Sequence, residues 1–135
     1  MEGVKMCVEA IIPYRQALGS LMYLATCSRP DIFAAISSLA RFNADPGPAH
    51  REGIQHVLKN LKGTKGGGIC YKRGASTEIW GYNDASHLTC PNTCRSKAGS
   101  AFIEARGAVS WASKLVGNAS LSSCESEYMG LTLAA

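Results

Sequence analysis

The sequence predicts an α+β protein: a short helical segment followed by a unit of antiparallel β-strands and one helix. Apolar residues recur at helical spacing through the first half, and strand-like alternation replaces that spacing after Gly68. A capping signal at Ser122 then opens one more helix. At 135 residues with 46% hydrophobic content, the chain has room for one domain or two small units around a modest core.

The first helix is predicted over 14–27, where Tyr14, Ala17, Leu18, Leu21, Met22 and Ala25 share a face. Ser28 and Asp31, with Pro30 between them, form a start signal for the second, since hydroxyl and carboxylate can satisfy the free amides of a first turn. That helix should run to about Phe42 and bury Ile32, Ile36, Leu39 and Ala40. Asp45-Pro46-Gly47-Pro48 breaks it. A third helix is expected from about Pro48 to Gly63, with Ile54, Val57, Leu58 and Leu61 inward. One apolar stripe per helix requires packing against a neighbour.

Gly66-Gly67-Gly68 forms a loop, after which Ile69–Lys72 alternates as a strand and 73–76 reads as a turn. Residues 77–84 are rich in β-branched and aromatic types, which suit a strand. A polar, irregular stretch covers 85–97. Strands at about 99–104 and 108–113 flank an Arg106-Gly107 hairpin, and Ser122-x-x-Glu125 caps a helix still running at Ala135. The seam near 63–76 divides the chain into a helical segment, 10–66, and a strand-and-helix unit, 68–135.

Composition excludes some classes. No run approaches the roughly 20 apolar residues that span a bilayer, and the charged opening does not resemble a secretory signal. An intracellular protein of cytoplasm or nucleus, not a membrane or secreted one, is expected. Cys7, Cys27, Cys70, Cys90, Cys94 and Cys124 are then expected as free thiols. His87, Cys90 and Cys94 form a rival constellation, a small zinc-stabilised interaction module, but lack the close ligand pairs usual for zinc.

The net charge of +4 is concentrated: Arg51, Lys59, Lys62, Lys65, Lys72 and Arg73 face only Glu52 within 51–73. A solvated helix face accounts for this equally well as a phosphate-contacting surface built on Arg51, Lys59, Lys62 and Lys65.

PYRQALGSLMYLATCSRPDI (13–32), with Pro48-Ala49-His50 and LKGT (61–64), is one of three distinctive segments. The others are WGYNDAS (80–86), and RSKAGSAF (95–102) with VSWASK (109–114) and LSSCESEYMGL (121–131). Their order and spacing resemble the Pol polyprotein of copia-type LTR retrotransposons, from the end of the reverse transcriptase into the N-terminal part of the ribonuclease H domain. The resemblance implies hydrolysis of RNA in RNA–DNA hybrids during reverse transcription, with Mg2+ as cofactor and a hybrid or other nucleic acid, besides the rest of a Pol polyprotein, as partner. It also implies that Asp84, ending the first strand, and Glu127, on the first helix, are catalytic and metal-binding carboxylates. Two-metal hydrolysis needs several carboxylates to hold two ions about 4 Å apart.

The residues themselves leave more than one reading open. Glu127, Leu131 and Ala134 share a helix face, so the carboxylate points with apolar residues, or sits in the first turn where the helix dipole favours it. Asp84 could equally start a turn. The sequence also departs from the family: Ser86 and His87 replace an Asp and a Trp, Arg51 replaces a Trp, and Asn60 replaces a Tyr. The remaining catalytic carboxylates of the family lie beyond Ala135. The chain alone is therefore expected to be inactive, a truncated member whose other outlet is non-catalytic nucleic-acid binding.

Overall fold

The computed structural model describes residues 13–88, 90 and 93–135; Cys7 lies outside them. In chain order the elements are α1 (Tyr14–Cys27), α2 (Pro30–Ala40), α3 (Pro48–Gly63), β1 (Trp80–Ser86), β2 (Lys97–Glu104), β3 (Gly107–Leu115) and α4 (Ser123–Ala134). This is the α+β class the sequence predicts, without the strand expected at 69–72.

The apolar stripes of α1 to α3 meet in one core of Tyr14, Leu18, Leu21, Ala25, Ile32, Ile36, Ile54 and Val57. Leu58, expected inward, is 40% exposed, because Ile54, Val57 and Leu61 supply the face that α3 turns to this core. The Tyr14 hydroxyl donates to Leu39 O at 2.8 Å. Burial pushes its pKa up, and the nearby Arg51 charge pulls the other way.

The expected Ser28–Asp31 cap of α2 does not form. The Asp31 carboxylate instead accepts from the guanidinium of Arg29, at 2.9 Å from Nε and 2.7 Å from Nη2. Ser28 Oγ turns back to Leu24 O at 3.4 Å. A two-point charge-assisted pair is stronger than a neutral amide cap, which accounts for the exchange. Buried Arg29 also donates to Thr64 O at 3.0 Å and Thr64 Oγ1 at 2.7 Å, fastening the end of α3 to the α1–α2 corner.

Ile69–Lys72 forms no strand. It crosses the β2–β3 hairpin, with Lys72 N donating to Ala105 O at 2.9 Å and Tyr71 Oη to Ala108 O at 2.7 Å. A Cβ on Gly107 would lie 2.5 Å from the Tyr71 ring, so the bare glycine is what lets the ring cross there. The hairpin turn is Ala105-Arg106, not Arg106-Gly107: both residues have positive φ, 49° and 69°, and Gly107 already pairs with Glu104. That geometry matches the twist of the flanking strands, as two-residue turns require.

The antiparallel sheet has the order β1-β2-β3. Register extends β1 to Ser86, opposite Lys97, beyond the predicted end at Asp84. On one face Ala85 and Ala98 pack with Val116 and Met129 beneath α4. On the other, Trp111 Nε1 donates to Ala25 O at 2.9 Å, and Lys97 Nζ donates to Ala34 O at 3.0 Å and Ser38 Oγ at 2.6 Å. Helices α1 and α2 thus dock on the β3 side of the sheet. The Lys97 pKa falls because this docking desolvates it and Arg41 adds a like charge.

Candidate functional site

Helix α4 begins where predicted: Ser122 Oγ accepts from Glu125 N at 3.1 Å. Glu125 completes the first turn by accepting from Leu121 N at 2.7 Å. The helix then lies close over β1 and β2. A Cβ on Gly130 would come within 2.9 Å of a terminal atom of the Asn83 amide and 3.2 Å of Ala85 Cβ. Such an approach admits only small residues, so the most buried positions of α4 are Ser126 and Gly130.

This corrects the expected inward stripe. Leu131 is 54% exposed, and Glu127 stands half-buried at the margin of the packed face. Glu127 Oε1 accepts from Ala85 N at 3.3 Å, which brings its carboxylate to the peptide following Asp84. Asp84 is exposed. Strand alternation turns its side chain away from the α4 face occupied by Asn83 and Ala85, toward the side shared with Tyr82 and Ser86. Among the described residues, no three His, Cys, Asp or Glu side chains gather as a metal-binding group.

The zinc constellation is not assembled either. Cys90 is buried and accepts from Arg41 Nη2 at 3.2 Å and Thr93 Oγ1 at 3.0 Å, whereas Cys94 is exposed. Cys27, Cys70, Cys94 and Cys124 are free thiols. His87 belongs to a hydroxyl network instead: its Nδ1 lies 3.1 Å from Ser120 Oγ and 3.4 Å from Ser126 Oγ, and Ser120 Oγ lies 2.7 Å from Ser96 Oγ. Ser126 Oγ already donates to Ser122 O or Ser123 O, at 3.0 and 2.9 Å.

Asn83 is the site residue that sequence reasoning missed. With its amide turned to satisfy its neighbours, the NH2 donates to Gly130 O at 3.1 Å and Gly99 O at 3.2 Å, and the oxygen accepts from Leu131 N at 3.3 Å. It cross-links β1, β2 and α4 beside Asp84. A lone Asn at a strand end gives no sequence signal for such a role. Elsewhere, Arg51, Lys59, Lys62 and Lys65 are all exposed. The first three lie on one side of α3, within about 80° of arc at roughly 100° per residue.

Fold and site define an α+β protein in which a glycine-mediated helix contact brings one glutamate to the strand that carries one aspartate. The chain is 39% identical over 123 residues to the "Retrovirus-related Pol polyprotein from transposon TNT 1-94" of Nicotiana tabacum, covering 91% of this chain and 9% of that protein. It is 34% identical over 115 residues to the corresponding polyprotein from transposon RE1 of Arabidopsis thaliana, covering 85% of this chain and 8% of that protein. "Secreted RxLR effector protein 161" of Plasmopara viticola is 38% identical over 121 residues, covering 90% of this chain and 85% of that protein. No family model and no solved structure matches. The chain belongs to the copia-type retrotransposon Pol family, and it spans about a tenth of the Pol polyproteins it matches. No helix among the described residues is long and apolar enough to cross a membrane.

Proposed function

We propose that this chain corresponds to the seam between reverse transcriptase and ribonuclease H in a Pol polyprotein, and that Asp84 and Glu127 are its share of a hydrolytic carboxylate set acting on RNA–DNA hybrids. The observation that carries the reading is the bond from Ala85 N to Glu127 Oε1, 3.3 Å long, which sets Glu127 at the peptide after Asp84 while the Asp84 side chain stands on the other face of β1. The sheet with one helix on its face is consistent with a partial ribonuclease H-like unit.

The residues present do not fit a two-ion Mg2+ site by themselves. A pair of divalent ions carries four positive charges, whereas Asp84 and Glu127 carry two negative ones, and among the described residues no third ligand joins them. Ser86 adds a hydroxyl but no charge. The chain alone is therefore a non-hydrolysing member of the family. The test incubates the purified chain with an RNA–DNA hybrid in Mg2+ or Mn2+, with Asp84→Asn as a control for contaminating nuclease. No cleavage is expected. Cleavage by the unaltered chain that disappears in Asp84→Asn would overturn the inactivity.

The exposed bases on one side of α3 favour a second activity, hybrid binding through Arg51, Lys59, Lys62 and Lys65. Each lysine that meets a phosphate should, when changed to Ala, flatten the salt dependence of hybrid binding by a slope of about 1. An unchanged slope returns these residues to a solvated helix face.

A further inference from the structure

Trp80, Tyr82, Asp84 and Ser86 alternate along the face of β1 opposite α4. Across the sheet that face is covered, Trp111 meeting α1 and Lys97 meeting α2. Over β1 it is open: Trp80 is 58% exposed and Tyr82 63%. Two aromatic rings two residues apart on the edge strand thus stand in solvent beside the candidate aspartate.

Cations stand at one end of this row. Register sets Trp80 opposite Ile103, next to the turn that carries Arg106, and Lys72 is held at the same turn through its bond to Ala105 O. Lys72, Arg73 and Arg106 are all exposed there. At the far end Lys97 stands opposite Ser86, but its ammonium is taken up by Ala34 O and Ser38 Oγ of α2. Aromatic faces beside a cluster of exposed cations are what a polyanion with stackable bases requires. A duplex hides its base faces in its own stack, so such a row selects single strands.

We propose that the open face of β1 is a binding platform for single-stranded nucleic acid, with bases stacking on Trp80 and Tyr82 and phosphates meeting Lys72 and Arg106. This surface is separate from the α3 lysines, and its occupancy does not depend on hydrolysis.

The experiment measures anisotropy of labelled oligothymidylate and oligouridylate, about 12 nucleotides long, with the full chain at low salt. Trp80→Ala and Tyr82→Ala should each weaken binding about tenfold, and Trp80→Phe should recover most of that loss. Lys72→Gln and Arg106→Gln should each lower the salt slope by about 1. Changing Lys59 and Lys62 to Ala should leave single-strand affinity unchanged while weakening hybrid binding. Should an alanine variant lose its far-ultraviolet dichroism, Trp80→Phe and the two glutamine variants carry the test. Absence of single-strand binding, or wild-type affinity in Trp80→Ala and Tyr82→Ala, overturns the proposal. Loss of single-strand binding through the α3 lysines alone overturns it as well.

Discussion

Replacing Gly130 by Ala sets two effects of opposite sign against each other. In an unencumbered helix interior the change stabilises by about 1 kcal/mol. At Gly130 the new methyl would stand 2.9 Å from a terminal atom of the Asn83 amide, 3.2 Å from Ala85 Cβ and 3.5 Å from Ala98 Cβ. Asn83 cannot swing aside freely, because its amide bonds to Gly130 O, Gly99 O and Leu131 N. Overpacking of this kind costs roughly 1–3 kcal/mol, and a disrupted amide bond adds about 1 kcal/mol. The net expectation for Gly130→Ala is a loss of about 1–3 kcal/mol once the helix gain is subtracted. Gly19→Ala in α1 is the internal control: nothing lies within 4 Å of its Cβ, so it should gain about 0.5–1 kcal/mol. Urea titrations followed by circular dichroism read both. Hydrogen exchange at Ala85 supplies a second readout, since displacing α4 lengthens the bond from that amide to Glu127. A Gly130→Ala midpoint that rises in parallel with Gly19→Ala, with Ala85 exchange unchanged, would refute the close-approach reasoning.

Three further outcomes follow from other parts of the fold. Ala105→Asn should raise stability by about 0.5–1 kcal/mol in the same titration, because Asn tolerates the positive φ that costs Ala about 1–2 kcal/mol. Trp111→Phe removes the bond to Ala25 O and should cost about 0.5–1.5 kcal/mol, with faster exchange at the α1–β3 contact. Asp31→Asn should narrow its stability gap to the wild type as pH falls. The Arg29 guanidinium holds the Asp31 carboxyl below its ordinary value, so the pair's contribution is full above about pH 4 and is lost as pH drops through the lower folded pKa. Unfolding midpoints at pH 7 and pH 3 check this, and an equal gap at both would remove Asp31 from the acid response.

Helical elements were the most legible part of the sequence. Tyr14, Leu18, Leu21 and Ala25 reveal α1 through spacing alone, and Ser122 marks the start of α4 because capping is satisfied within four residues. Signals failed where a local option met a stronger distant one. Ser28–Asp31 had the right spacing for a cap, but Arg29 claimed the carboxylate. Ile69–Lys72 alternates like a strand, yet β2 and β3 pair with each other and leave it no ladder to join.

By itself the sequence determined the α+β class, the helical core stripes, the exposed bases of α3 and the Pol resemblance. Each depends on residues near one another in the chain, or on a pattern that register does not alter. Only the tertiary structure decided which residues surround Asp84 and Glu127. Strand register sets Asp84 opposite Gly99 and sends its side chain to the face away from α4. The depth at which α4 settles on Gly130 sets how far Glu127 reaches along β1. Those are distances between segments some 40 residues apart, fixed by packing and pairing energies summed over the whole sheet.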